Sequence, residues 1–253
     1  MTGQRMAARL AAGAAVVVLT VTSGAVALAD DDFESLTAQQ IADRSRDALL
    51  DADSLRLTSE GDLGEGKAPM TVDLTLDRDG NCRGSVDLGE DKGAVEVIKR
   101  GDAVWLKPDS AFWKSQVPIG GTTFEAILDG RYMKGEADDP RLRSVTEACD
   151  LDTFRELLTD NADKTNGTLT KGTKTTVGDT PVIPVTRTEG REKLTLYVAT
   201  EGKHYPVRLT VQGSSADAVV GLSGFDKPVP TATPSEDETV DVTALLGGAP
   251  APV

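Results

Sequence analysis

Histidine is nearly missing from this chain of 253 residues: there is one, His204, against 41 acidic side chains. A single imidazole excludes the two-histidine helix motif of metalloproteases and leaves at most one imidazole base. His204 lies beside Tyr205-Pro206 where a strand pattern begins, and it reads as a partly exposed strand residue. Positive charge is also short, 27 Lys and Arg giving a net −14. That balance excludes nucleic acid held through its phosphates and works against anionic membrane surfaces. Cysteine is limited to Cys82 and Cys149. Two thiols so far apart form neither a C-x-x-C redox motif nor a cysteine-rich metal cluster, so no metal and no cofactor is expected. Aromatic residues make up 4% of the chain.

What is present begins at the N-terminus. Arg5 and Arg9 precede an apolar run from Leu10 to Val26, which closes on Ala27-Leu28-Ala29 before Asp30-Asp31-Asp32. A basic start, an apolar centre and an A-x-A end form a secretory signal peptide, with cleavage expected after Ala29. The competing reading is an uncleaved anchor, for which the run is long enough but rich in weakly inserting Ala, Gly and Thr. No cysteine stands at the cleavage point, so a lipobox is absent. Export removes the chain from ATP, NAD and the reducing cytosol. An exported Cys82 and Cys149 are expected to form a structural disulfide, the alternative being two buried thiols. Loss of residues 1–29 removes two basic residues and no acidic one, taking the net charge from −14 to −16.

Three stretches follow: the signal peptide at 1–29, one β-rich domain at 30–230, and a Pro/Thr/Glu-rich tail at 231–253, in which Val240 to Leu246 has the apolar content to dock locally. Thr37-Ala-Gln-Gln40 has the form of a capping box, and Ile41, Ala48 and Leu49 share a helical face, predicting a helix over about 38–51. The period then becomes two. Val72, Leu74 and Leu76 alternate with polar residues, Asp79-Gly80-Asn81 turns the chain, and further strands carry Val86 and Leu88, Val95 and Val97, Val104 and Leu106. Short turns between successive strands require an antiparallel meander. From 108 to 165 the pattern is helical: Phe124, Ile127 and Leu128, then Leu142, Val145 and Cys149, then Leu151, Phe154, Leu157 and Leu158, with Asp150 or Asp152 able to cap the last. Strands resume at Gly167 and run to about Gly224.

Motifs of nucleotide or metal chemistry fail on inspection. Gly61 to Lys67 approaches a Walker A spacing, but Ala68 stands where the magnesium-binding Ser or Thr belongs, and strands flank the loop. Asp77, Asp79 and Asn81 match the start of a calcium loop, yet Cys82 and Leu88 occupy the required Gly and Glu positions. No nucleophile arrangement survives, and a non-enzyme is expected.

Four stretches carry a family resemblance: Asp79-Gly80-Asn81-Cys82-Arg83-Gly84-Ser85-Val86, Arg100 to Lys107, Cys149-Asp150-Leu151-Asp152, and Gly224 to Pro230. With the order of helix, meander, helical insertion and second meander, the chain resembles the LolA/LolB-like carrier fold, in particular the LppX/LprG-type exported lipoproteins. The resemblance implies an α+β fold, a curved antiparallel half-barrel whose concave face is covered by the N-terminal helix and the helical insertion. Relatives hold acyl chains there, which implies a monomer in the cell envelope or secreted, binding a lipid or lipoglycan. The cavity candidates are Trp105, Trp113, Phe124, Ile127, Leu128, Leu157 and Leu158. A Cys82–Cys149 bond would then pin the insertion to the sheet, with Gly120-Gly121 as the hinge of a lid. The alternative is an envelope sensor binding a membrane-protein partner, as the similar RseB-type fold does. A filled-core structural protein is the third reading.

Overall fold

The computed structural model describes residues 33–62, 70–156, 168–213 and 217–242. The expected signal peptide, most of the Walker-like loop, and Leu157 and Leu158 lie outside these residues. Among the described residues no helix is long and apolar enough to cross a membrane.

Helix α1 (Ala38–Asp51) starts where the sequence places it. The Thr37 side chain accepts from the Gln40 amide, while the Thr37 amide donates back to the Gln40 carboxamide oxygen, closing the capping box. A five-strand meander follows: β1 (Ser54–Asp62), β2 (Thr71–Asp77), β3 (Cys82–Asp87), β4 (Ala94–Arg100) and β5 (Ala103–Pro108). The β2–β3 turn is held by Asp77, whose carboxylate accepts from the amides of Asp79 and Asn81 at 3.0 and 2.9 Å. This is turn chemistry in the place of a calcium loop.

The insertion contains α2 (Ser110–Gln116) and α3 (Gly121–Leu128), then β6 (Tyr132–Glu136), a 3-10 turn at Pro140–Leu142, and α4 (Arg143–Ala148). Residues 151–156 are helical, capped by Asp150, which accepts from the amides of Asp152 and Thr153. The second meander comprises β7 (Thr168–Lys171), β8 (Thr175–Val177), β9 (Thr180–Glu189), β10 (Glu192–Ala199), β11 (Pro206–Gln212) and β12 (Asp217–Ser223), and β13 (Thr239–Asp241) ends the chain of strands. One sheet takes them in the order β13-β6-β5-β4-β3-β2-β1-β12-β11-β10-β9-β7, with β8 on β9. Only the pairing of β13 with β6 is parallel among the described strands. The sheet is open, since β13 and β7 stand at opposite edges without meeting.

Helices cover one face of this sheet. Helix α1 packs Ile41 with Ile183, Val185 and Val198, while Leu49, Cys149 and Leu151 pack with Leu55, Leu74, Leu76 and Val97. Residues 225–241 run as a strap on the other face, where Arg83 donates to the Ala232 carbonyl at 2.8 Å and Arg100 to that of Pro230 at 2.6 Å, and then enter the sheet as β13; the rest of the Pro/Thr/Glu-rich stretch, from 243 on, lies outside the described residues. Pro-rich backbone has few amides to donate, but its carbonyls remain free to accept from arginine. His204 sits half-buried just before β11, with its ring stacked on Phe33 at 3.9 Å.

Candidate functional site

Residues directly opposed across antiparallel strands lie on the same face, so the register sorts the covered face into rows. The first row is Leu55, Leu76 and Cys82, all fully buried. The second is Leu222, Leu57, Leu74, Gly84, Val97 and Leu106. The third is Leu209, Val220, Ser59, Val72, Val86 and Val95. Burial falls along this sequence: Leu57 and Leu106 are half-buried in the second row, and Leu209, Val72, Val86 and Val95 are half-buried in the third. Across β4 the first row continues to Lys99, opposite Cys82, whose ammonium donates to the Gly80 carbonyl at 2.6 Å at the β2–β3 turn; the second and third rows as named carry no ionisable side chain. In the second row Gly84 stands between Leu74 and Val97, where the β2 backbone approaches so closely that a Cβ would collide with the Asp73 carbonyl.

The fully covered end is fixed by a bond and a charge. Cys82 and Cys149 form a disulfide, Cα atoms 5.3 Å apart, tying the insertion to β3. Arg155, buried at 4% exposure, donates through Nε to the Leu49 carbonyl at 3.2 Å and through a second nitrogen to that of Ala52. A third nitrogen meets Asp152 at 2.7 Å. Arg78 donates to the same helix end, at Ala52 and Leu50. Two guanidinium groups therefore satisfy the unpaired carbonyls at the α1 C-terminus, where cations are also favoured by the helix dipole.

The other end carries the α2–α3 hairpin. Asp109 caps α2 by accepting from the Phe112 amide at 2.7 Å, and its own amide donates to Ala94 in β4. Trp113 is buried and stacks on Phe124 with centroids 6.2 Å apart. The two helices touch at Gly121, where a Cβ would lie 2.2 Å from the Trp113 carbonyl oxygen. Gly121 is thus a close crossing point, while Gly120 beside it takes a left-handed conformation with open space where a Cβ would stand.

Of the cavity candidates, Trp113, Phe124, Ile127 and Leu128 come together in this hairpin, Leu128 buried and Phe124 and Ile127 exposed. Trp105 does not join them. It opposes Ile98, and Leu106 beside it opposes Val97 of the covered face. Alternation along the strand therefore turns Trp105 to the outer face, under Lys134, whose ammonium lies 5.8 Å from the ring centroid. Aromatic clustering in the sequence carried no information about face. Leu57, Val72, Val95 and Leu209 belong to the covered face and were not among the candidates. The signal that marks them is strand parity, which the Leu55-Leu57 alternation of β1 also displays.

Ionisable groups with displaced pKa values stand away from these rows. Tyr132 on the outer face is pushed up to about 12 by burial and by donating to Glu96 at 2.6 Å. Asp226 is held down at about 2 by Lys203 first, then by the Asp53 amide and the Tyr205 hydroxyl. A polar groove of about 990 Å³ lies beside the β4–β5 turn, lined by Arg100, Asp102, Lys134, Glu136, Asp138 and Asp241 among others. Among the described residues no cluster of His, Cys, Asp or Glu is arranged to hold a metal ion.

No family model matches this sequence, and no curated protein matches it. Among solved structures, LprF from Mycobacterium bovis aligns at a TM-score of 0.53 and 15% identity, covering 78% of this chain and 97% of that one. The lipoprotein LppX from Mycobacterium tuberculosis aligns at 0.47 and 14% identity, covering 77% of this chain and 98% of that one. A LolA superfamily protein from Nitrosomonas europaea aligns at 0.30 and 10%, covering 81% of this chain and 99% of that one. The strand order, the helices on one face and the match to LprF over nearly its whole length agree: this chain has the open, helix-covered half-barrel fold of LprF.

Proposed function

We propose that this chain is an exported, non-enzymatic carrier that holds an acyl chain of a lipid or lipoglycan against the covered face of its sheet. The observation that carries this reading is the graded apolar surface: the second and third rows carry no ionisable group, the closed end is held by the disulfide and Arg155 with Lys99 bonded to the β2–β3 turn, and the rows are progressively less covered toward the other end. An acyl chain needs apolar area and no catalytic group, each Å² removed from water contributing about 25 cal/mol. The fold shared with LprF and the basic-apolar-Ala-Leu-Ala start of the chain support it further.

The test is to purify the exported protein without detergent and compare its native with its denatured mass. The expected result is an added mass that extracts into organic solvent as acyl lipid. A protein that is clean of lipid, and stays so after incubation with lipid, refutes the carrier reading. Co-purification of a membrane protein in place of lipid assigns the chain to the sensor class instead.

A further inference from the structure

We propose that the α2–α3 hairpin is the surface by which this protein docks on a neutral lipid layer; the inference rests on the carrier reading above. Helix α3 turns one line inward, Gly121, Glu125 and Leu128, at the i, i+4, i+7 spacing of a helix face. Its single charge, Glu125, is on that line and accepts from the Ser110 hydroxyl. What faces water carries no charge: Thr122, Thr123 and Ala126 are exposed beside three large apolar side chains, Phe124 at 43%, Ile127 at 52%, and Ile119 in the preceding turn at 92%. A helix face in contact with water alone is ordinarily charged.

The occupant follows from charge, size and position. Residues 110–128 carry one Lys and one Glu, and 115–124 carry no charge, in a chain of net −14. A neutral tip on an acidic body favours neither a basic partner nor anionic lipid, and suits a zwitterionic surface. A second copy of the chain fits poorly. Eight helical residues present a strip about 12 Å long and about 10 Å wide, far below the about 800 Å² per partner of a stable interface. A deformable lipid layer requires no such area, only a few large apolar side chains at its boundary. The hairpin stands at the less covered end of the acyl surface, joined to β4 through Asp109–Ala94 and to the β3–β4 turn through Ser115 and the Lys92 carbonyl. Seating Ile119 and Ile127 in a lipid layer brings that end to the source of the ligand.

The experiment is flotation of the exported protein with phosphatidylcholine vesicles, alone and mixed with phosphatidylglycerol. The protein is expected to float with phosphatidylcholine and less as phosphatidylglycerol is added. The double variant Ile119→Asp, Ile127→Asp is expected to lose at least about tenfold in partitioning, with near-UV circular dichroism unchanged. No flotation, or a variant that floats like the parent, overturns the proposal. A concentration-dependent dimer abolished by the variant, without flotation, also overturns it and assigns the face to a second copy. Titration with a fluorescent fatty acid in vesicle-free buffer separates the two readings. Binding without flotation sinks docking alone, and flotation without binding upholds docking while sinking the acyl site.

Discussion

Replacing both Cys82 and Cys149 by Ala tests whether one covalent link holds the insertion on the sheet. The bond closes a loop of 67 residues, and loop-closure entropy for that length gives about 15 cal/mol/K, or about 4 kcal/mol at 25 °C, withdrawn from the unfolded chain. Both residues are fully buried within the main core cluster, so losing two sulfur atoms adds about 1–2 kcal/mol of lost packing. Alanine is the right replacement, because serine would bury two hydroxyls without assured partners. Against a usual net stability of about 5–15 kcal/mol, a loss of about 5 is a third or more of the whole. With a urea slope of about 2–3 kcal/mol/M, the midpoint should fall by about 2 M. The assay is urea unfolding of parent and variant without reductant, followed by tryptophan fluorescence and far-UV circular dichroism. The slope should also steepen, since the variant unfolds to a less restricted chain that exposes more surface. A midpoint shift under about 0.5 M, with the slope unchanged, would refute the reasoning and leave Arg155 and packing as the restraints that matter.

Two further outcomes follow from the geometry. The folded-state pKa of Asp226 is depressed from 3.8 to about 2, so its contribution is fully present above about 3.8 and is lost as pH falls toward 2. Asp226→Asn should therefore be less stable than the parent at pH 7, with the difference closing in acid, as read by thermal melts from pH 7 to 2; a constant difference would contradict the Lys203 pairing. Gly121→Ala should drive α3 off the Trp113 carbonyl and break the Trp113–Phe124 stack. In a Trp105→Phe background its tryptophan emission should shift to the red, and unchanged emission would show that the helices cross elsewhere.

How much of this was legible in the sequence varies by element. The capping box of Thr37 and Gln40 is a local device, and α1 starts and ends as its sequence predicts. The strands around Val72, Val95 and Val207 were legible because alternation is local too. Strand β1 was legible only as the strand preceding the Gly61 loop: Leu55 and Leu57 alternate with Arg56 and Thr58, but Ser59 stands where the next apolar residue belongs. Strand β6 was hidden within the helical insertion, since Tyr132-Met-Lys-Gly-Glu136 has no periodicity that separates it from a loop. Strand β13 pairs with the edge of β6; the apolar content of Val240 was legible, and the edge it meets was not.

By itself, the sequence determined the class of this protein. Alternating strands on short turns already required an antiparallel sheet, and the family resemblance implied that helices cover one of its faces. With two cysteines only one intramolecular pair was possible, and the structure shows that pair formed. Tertiary structure decided which apolar residues face one another. Trp105 and Leu106 are neighbours in sequence and lie on opposite sides of the sheet. Strand pairing fixes that parity, and a shift of one residue would exchange the two faces. Tertiary structure likewise placed Gly121 at a helix crossing and left Gly120 beside it open, because the space at a glycine is set by what packs against it. Ile119, Phe124 and Ile127 show the same division: their apolar character is local, and their exposure was decided by where the rest of the chain did not go.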